Sequence, residues 1–149
     1  MNGIVHVVKN PGSVQSINNV GSGLSDDGFG FQVKYILDTN LQRDVDIDTS
    51  ENTLTFKISG DTENEQITFV LPPKLIENPN SVWVDGEMSD FQTDTTTGTK
   101  LIIPIEPHSK EIKIMGTHVI PEFGFFALGI LSIGLISTVF LIRSKFSLV

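Results

Sequence analysis

The sequence predicts a mainly β protein, a small antiparallel β-sandwich followed by a single C-terminal transmembrane α-helix. Three observations point there. Apolar and polar residues alternate in short runs over most of the chain, turn residues separate those runs, and residues 125–142 form a mostly apolar stretch without a charge. Period-two alternation marks strands with one buried and one wet face. Six or seven such strands without a convincing amphipathic helix fit a small sandwich. The 149 residues allow one compact domain and an appendage. We divide them into a loosely structured N-terminal segment or set of edge strands (1–25), a β-sandwich (26–119) and a C-terminal tail (120–149).

In the first segment, Gly12, Gly21, Gly23 and several Ser and Asn argue for loose structure, although Val5, Val7 and Val14 suit edge strands. The first clear strand then places Phe29, Phe31, Val33, Tyr35 and Leu37 on one face. Leu54, Phe56 and Ile58 mark a second, and Ile67, Phe69 and Leu71 a third. Val82 and Val84 flank Trp83, Leu101, Ile103 and Ile105 form another set, and Ile112 and Ile114 the last. Pro104 lacks the N–H that a central ladder needs and points to an edge position. Between the runs lie Asp26-Asp27-Gly28, Ser59-Gly60-Asp61, Asn78-Pro79-Asn80, Asp85-Gly86 and Thr97-Gly98. Asp85-Gly86 suits a two-residue type I′ hairpin. Around Lys74-Leu75-Ile76-Glu77 the pattern allows one turn of helix.

The tail differs sharply in composition. All 18 acidic residues and eight of the ten basic ones lie at or before Glu122, leaving only Arg143 and Lys145 beyond it. Counted from Phe123 to Ile142, the apolar run as a helix would reach about 30 Å, the thickness of a hydrocarbon core. Ser132, Ser137 and Thr138 can return their hydroxyls to carbonyls one turn earlier. Gly134 and Thr138 have the spacing of a helix–helix contact. Arg143 and Lys145, adjoining the run, favour a cytoplasmic C-terminus and a domain outside the cell membrane. Met1 to Lys9 contain neither a basic n-region nor a long apolar run, so either coding sequence precedes Met1 or the tail itself targets the protein and the domain could be cytosolic; we favour the first.

Composition also removes functions. A net charge of −8 argues against nucleic-acid binding, which needs clustered Lys and Arg. With no cysteine there are no disulfides, thiolate metal sites or Cys nucleophiles. Motifs for serine hydrolases, zinc peptidases and phosphate-binding loops do not occur. Gly28-Phe29-Gly30 has no following helix and is not a dinucleotide loop. We therefore expect a protein that is not an enzyme.

Residues 111–124 read EIKIMGTHVIPEFG, followed by the apolar run and the basic end. This resembles the PEFG-CTERM sorting tail of exported proteins from ammonia-oxidising archaea, with Pro121, Glu122, Phe123 and Gly124 as the signature and Arg143 and Lys145 as the basic end. The resemblance extends more weakly over ITFVLPPKLIE, VWVDGE and LIIPIEPHSKEIKI, which look like the last strands of the β-domain that often precedes such tails. It implies membrane lipid and an archaeosortase-like processing enzyme as partners, and either a single-pass anchor or a lipid anchor at the cell surface after processing. Independently of it, Pro121 would break the chain before the helix and Glu122 would sit at the helix's positive end.

For sites, Asp44, Asp46 and Asp48 alternate along one strand face, and oxygen-rich clusters suit Ca²⁺. They do not form an EF-hand, because Thr49 stands where the loop glycine belongs and Thr55 where the bidentate Glu belongs. The plainer reading is a solvated face with Val45 and Ile47 packed inward. Asp61-Thr62-Glu63-Asn64-Glu65 reads as a solvated hairpin loop. His6, His108 and His118 form no recognisable ligand pair, and Trp83 suits either the core or a sugar-stacking platform. The function expected is a membrane-anchored, surface-exposed archaeal protein of structural or interaction type. The alternatives are a Ca²⁺- or carbohydrate-binding module and an accessory domain of a larger exported protein.

Overall fold

A computed structural model describes residues 12–25, 28–96, 98–120 and the helix Phe125–Phe146, with side chains in that helix described from 133 to 143. In chain order the strands are β1 (Val14–Val20), β2 (Phe31–Ile36), β3 (Asn40–Leu41), β4 (Asp46–Asp48), β5 (Thr53–Ser59), β6 (Gln66–Leu71) and β7 (Ile76–Glu77). They continue with β8 (Ser81–Val84), β9 (Glu87–Ser89), β10 (Gln92–Asp94), β11 (Thr99–Pro104), β12 (Glu111–Met115) and β13 (His118–Val119), and α1 spans Phe125–Phe146. The first sheet runs β1-β2-β6-β11-β10, and the second β3-β5-β12-β8-β9, with β4 also on β5. A two-stranded piece joins β13 to β7. All pairs of named strands are antiparallel. The protein is thus mainly antiparallel β with a C-terminal helix.

Register explains the core. On β5, Leu54, Phe56 and Ile58 are buried while Lys57 is exposed. On β12, Ile112 and Ile114 are fully buried between half-buried Glu111, Lys113 and Met115. Ile112 lies opposite Phe56 and Val84, so apolar side chains share one face across three strands. From the first sheet, Val33, Tyr35, Phe69, Leu71, Leu101 and Ile103 join the same cluster. The rings of Phe56 and Phe69 meet with centroids 4.7 Å apart, linking β5 of one sheet to β6 of the other.

The Asp85-Gly86 turn falls where the sequence placed it. Asp85 and Gly86 take φ of 50° and 85° in the two-residue β8–β9 hairpin, as a type I′ turn requires. The Asp85 Oδ1 also accepts N–H bonds from Lys110 (2.8 Å) and Glu111 (2.9 Å), tying the hairpin to the start of β12. Around Lys74-Leu75-Ile76-Glu77 the chain makes one hydrogen-bonded turn and no helix: Ile76 N reaches Pro72 O at 3.3 Å, but Ile76 and Glu77 already belong to β7. Leu75 N donates to Pro72 O at 2.9 Å, and the chain then enters β7 with Leu75 and Ile76 fully buried. Burial and pairing with β13 override the weak local helical pattern. Pro104 lies on an internal strand, but at its end. The β10 pairing stops at Ile102, so no N–H is demanded of the proline on that side.

The N-terminal segment contributes β1 to the first sheet, with Val14 opposite Ile36; Val5 and Val7 lie outside the described residues. The tail requires a larger correction. Among the described residues, no helix is long and apolar enough to cross a membrane. This overturns the expected transmembrane helix, and with it the single-pass cell-membrane placement with an outside domain and a cytoplasmic C-terminus. The described side chains of α1, from 133 to 143, cover about 16 Å of helix, roughly half a hydrocarbon core. Within that stretch Ser137 and Thr138 interrupt the apolar run and Arg143 ends it. Ser137 and Thr138 do return their hydroxyls to Ile133 O (2.8 Å) and Gly134 O (2.7 Å). Pro121, Glu122, Phe123 and Gly124 lie outside the described residues, as does the Lys145 side chain, while Arg143 is exposed.

Candidate functional site

The outer face of the second sheet gathers the chemistry that the sequence marked. β4 continues the alternation of the acidic run: Asp44, Asp46 and Asp48 are exposed, and Val45 and Ile47 pack against the core. Asp48 is occupied by its own turn. Its Oδ1 accepts from Ser50 N (2.9 Å), Ser50 Oγ (2.6 Å) and Glu51 N (3.0 Å). The Ser50 hydroxyl, then the Glu51 N–H, hold its carboxyl below the ordinary carboxylate value of 3.8. Glu51 in turn accepts from Lys113 Nζ at 3.0 Å, and this bond raises the lysine above 10.5. Among the described residues, no three His, Asp or Glu side chains gather into a group that could hold a metal ion. The structure therefore spaces Asp44, Asp46 and Asp48 along a strand face without closing them into a cage.

Next to this stretch a row of side chains crosses the sheet. In register, Met88 faces Trp83, Trp83 faces Lys113, Lys113 faces Thr55, and Thr55 faces Asp46. Directly opposed residues share a face, so these five stand on the outer side while Val82, Ile112, Ile114 and Leu54 fill the inner one. Met88 is 72% exposed. Trp83 is half-buried. The row thus runs from an apolar end at Met88, through an aromatic and a cation, to carboxylates at Asp46 and Asp48. Sequence reasoning weighed Trp83 alone and did not find the row. Register between distant strands made it, and no local motif encodes that.

The remaining acidic stretch serves structure. β5 and β6 belong to different sheets, so residues 60–65 form a crossing between sheets and not a hairpin, although Asp61, Glu63 and Glu65 are exposed as expected. Thr62 is fully buried. Its hydroxyl donates to Asp38 Oδ1 at 2.6 Å, and Glu63 N donates to Asp38 Oδ2 at 2.9 Å. Asp61 accepts from Lys110 Nζ at 2.6 Å, and that bond, followed by the lysine's charge, holds its carboxyl below the ordinary value. Two histidines sit beside single carboxylates: His108 Nδ1 lies 3.5 Å from Asp61, and His118 Nδ1 lies 3.5 Å from Glu77. They are not brought together, and His6 lies outside the described residues. Compared with family models, curated proteins and solved structures, the chain matches none.

Proposed function

We propose that the chain is a non-catalytic interaction domain, a two-layer β-sandwich that engages its partner through the outer face of the second sheet. The ring contact between Phe56 and Phe69 supports the two-layer reading, because it joins the inner faces of both sheets. One observation carries the functional reading: the register that aligns Met88, Trp83, Lys113, Thr55 and Asp46 across an open face. An indole platform with a cation and carboxylates beside it offers stacking to an apolar ring face and hydrogen bonds to the hydroxyls around it. A neutral saccharide has both. A strongly anionic ligand is disfavoured by Asp46, Asp48 and Glu51 at the same end of the row.

Titration calorimetry of the full chain with neutral oligosaccharides tests this, read against the fluorescence of Trp83, the chain's only tryptophan. Binding heat that disappears in Trp83→Ala, with an indole emission shift in the parent chain, supports the reading. Heat that survives the substitution moves the contact elsewhere. No heat with any neutral saccharide removes that ligand class. Calcium chloride titrated into the same chain reports separately on Asp44, Asp46 and Asp48. The PEFG resemblance supports a second role for the tail, as the substrate of a processing enzyme. The intact mass of the native protein decides that, since a product still carrying residues 125–149 rules cleavage out.

A further inference from the structure

Strand β1 is the outer strand of the first sheet, and among the described residues no strand pairs with its far side. Its sequence, VQSINNV, holds no charge and no proline over seven residues. The other edges are guarded or very short. β10 carries Asp94, β9 carries Glu87, β4 carries Asp46 and Asp48, and β3 has two residues. Charges on an edge strand deter another chain from pairing there, so their absence from β1 singles it out. The bulge between Ile17 and Val20 interrupts regular pairing at one end and leaves Val14 to Ile17 regular. Along that stretch alternate residues turn N–H and C=O groups away from β2.

Two exposed apolar side chains lie on β1 and just beyond its end. Val14, at the start of β1, is 68% exposed, and Leu24, in the connection to β2, is 52% exposed. We propose that two copies of the chain pair through β1, antiparallel, about a two-fold axis near Ser16. This register keeps Val14, Ser16 and Asn18 on one face in both copies, as continuation of the sheet requires. It brings the Val14 end of each copy to the hairpin end of the other, where Leu24 lies. A single symmetric contact therefore covers both apolar side chains, the self-complementarity that an isologous interface demands. It also adds no carboxylate to the edge of a chain that carries −8.

The chain lacks cysteine, so Ser16→Cys supplies a unique reporter. Lys57→Cys, on the exposed face of β5, is the control. With a short bis-maleimide, the full-length Ser16→Cys chain should give covalent dimer at least about tenfold faster than the control, given Cβ atoms within about 5 Å across such a pair. Adding Val14→Lys to Ser16→Cys should abolish that advantage. Sedimentation velocity of the parent chain and of Val14→Lys/Ser16→Lys gives a second readout, with any association through α1 common to both. Equal cross-linking rates at Ser16→Cys and Lys57→Cys, or the same sedimentation for parent and double variant, would overturn the pairing. Both substituted side chains are exposed, and equal urea midpoints for the two chains verify that folding is intact.

Discussion

The contact between Phe56 and Phe69 is where the joining of the two sheets can be measured. Both rings are fully buried, with centroids 4.7 Å apart and planes tilted by 37°. Replacing either by Leu removes about two methylenes' worth of apolar burial and the ring–ring term, roughly 2 kcal/mol in all. That is small enough for a marginally stable domain to remain folded. If the rings touch, the second replacement loses a partner that is already gone. The double variant should then be less destabilised than the sum of the singles by about 0.5–1.5 kcal/mol. Urea unfolding followed by Trp83 fluorescence measures all four chains, and each single replacement should lower the midpoint by about 1 M at an m-value near 2 kcal/mol/M. Additivity within about 0.3 kcal/mol would refute the shared core. The two sheets would then bury their apolar faces separately.

Other parts of the fold give sharper local tests. Thr62→Val keeps the shape of a fully buried side chain and deletes the hydroxyl that bonds Asp38, so it should cost about 1–2 kcal/mol; Thr62→Ser, retaining the oxygen, should recover part of that loss. Gly116→Ala would place a Cβ 2.5 Å from Glu77 O and 2.7 Å from Ile76 Cγ1, so displacement of β7 should cost about 1–3 kcal/mol in the same assay. In acid, Asp48, Asp61 and Asp94 all have carboxyls held below 3.8, by Ser50, Lys110 and Thr96 respectively as first causes. Their contribution is complete above about pH 4 and is lost as pH falls through the depressed values, so the urea midpoint should fall between pH 5 and pH 2, values chosen to bracket that range on both sides. An unchanged midpoint across that window contradicts the carboxylate bonding described here. For Lys113 the sign reverses: the Glu51 bond raises its value, so its contribution persists below 10.5 and fades only at higher pH.

The sheet elements were legible because their signal is local. Leu54, Phe56 and Ile58 alternate with polar neighbours, and a strand must put such a set on one face. Asp85-Gly86 was legible for the same reason, since few residue pairs tolerate two positive φ values in succession. What failed depended on distance. Lys74 to Glu77 resemble a helical turn until β13 supplies a pairing partner for Ile76 and Glu77. Residues 60–65 resemble a hairpin because strands of similar length flank them; nothing in their own sequence says that β5 and β6 enter different sheets. Residues 125–142 satisfied a length and polarity rule as sequence, but the described part of α1 does not satisfy it. The row at Trp83 was invisible for the converse reason: its five members come from five strands and meet only through register.

Carboxylates illustrate the limit most clearly. In sequence, Asp44, Asp46 and Asp48 look like one cluster, and Asp61, Glu63 and Glu65 like another. In the fold, the carboxylates with bonded partners are engaged one at a time. Asp48 closes its turn on Ser50 and Glu51, Asp38 holds the crossing at Thr62 and Glu63, Asp61 holds Lys110, and Asp85 holds the start of β12. A carboxylate that accepts two or three hydrogen bonds from its own chain has fewer lone pairs to offer a cation, and binding there would require those turns to open. An acidic protein rich in short strands needs such acceptors at its loops, because each loop leaves backbone N–H groups outside the ladders. Acidic spacing in a chain of this kind therefore reports first on how its loops are closed.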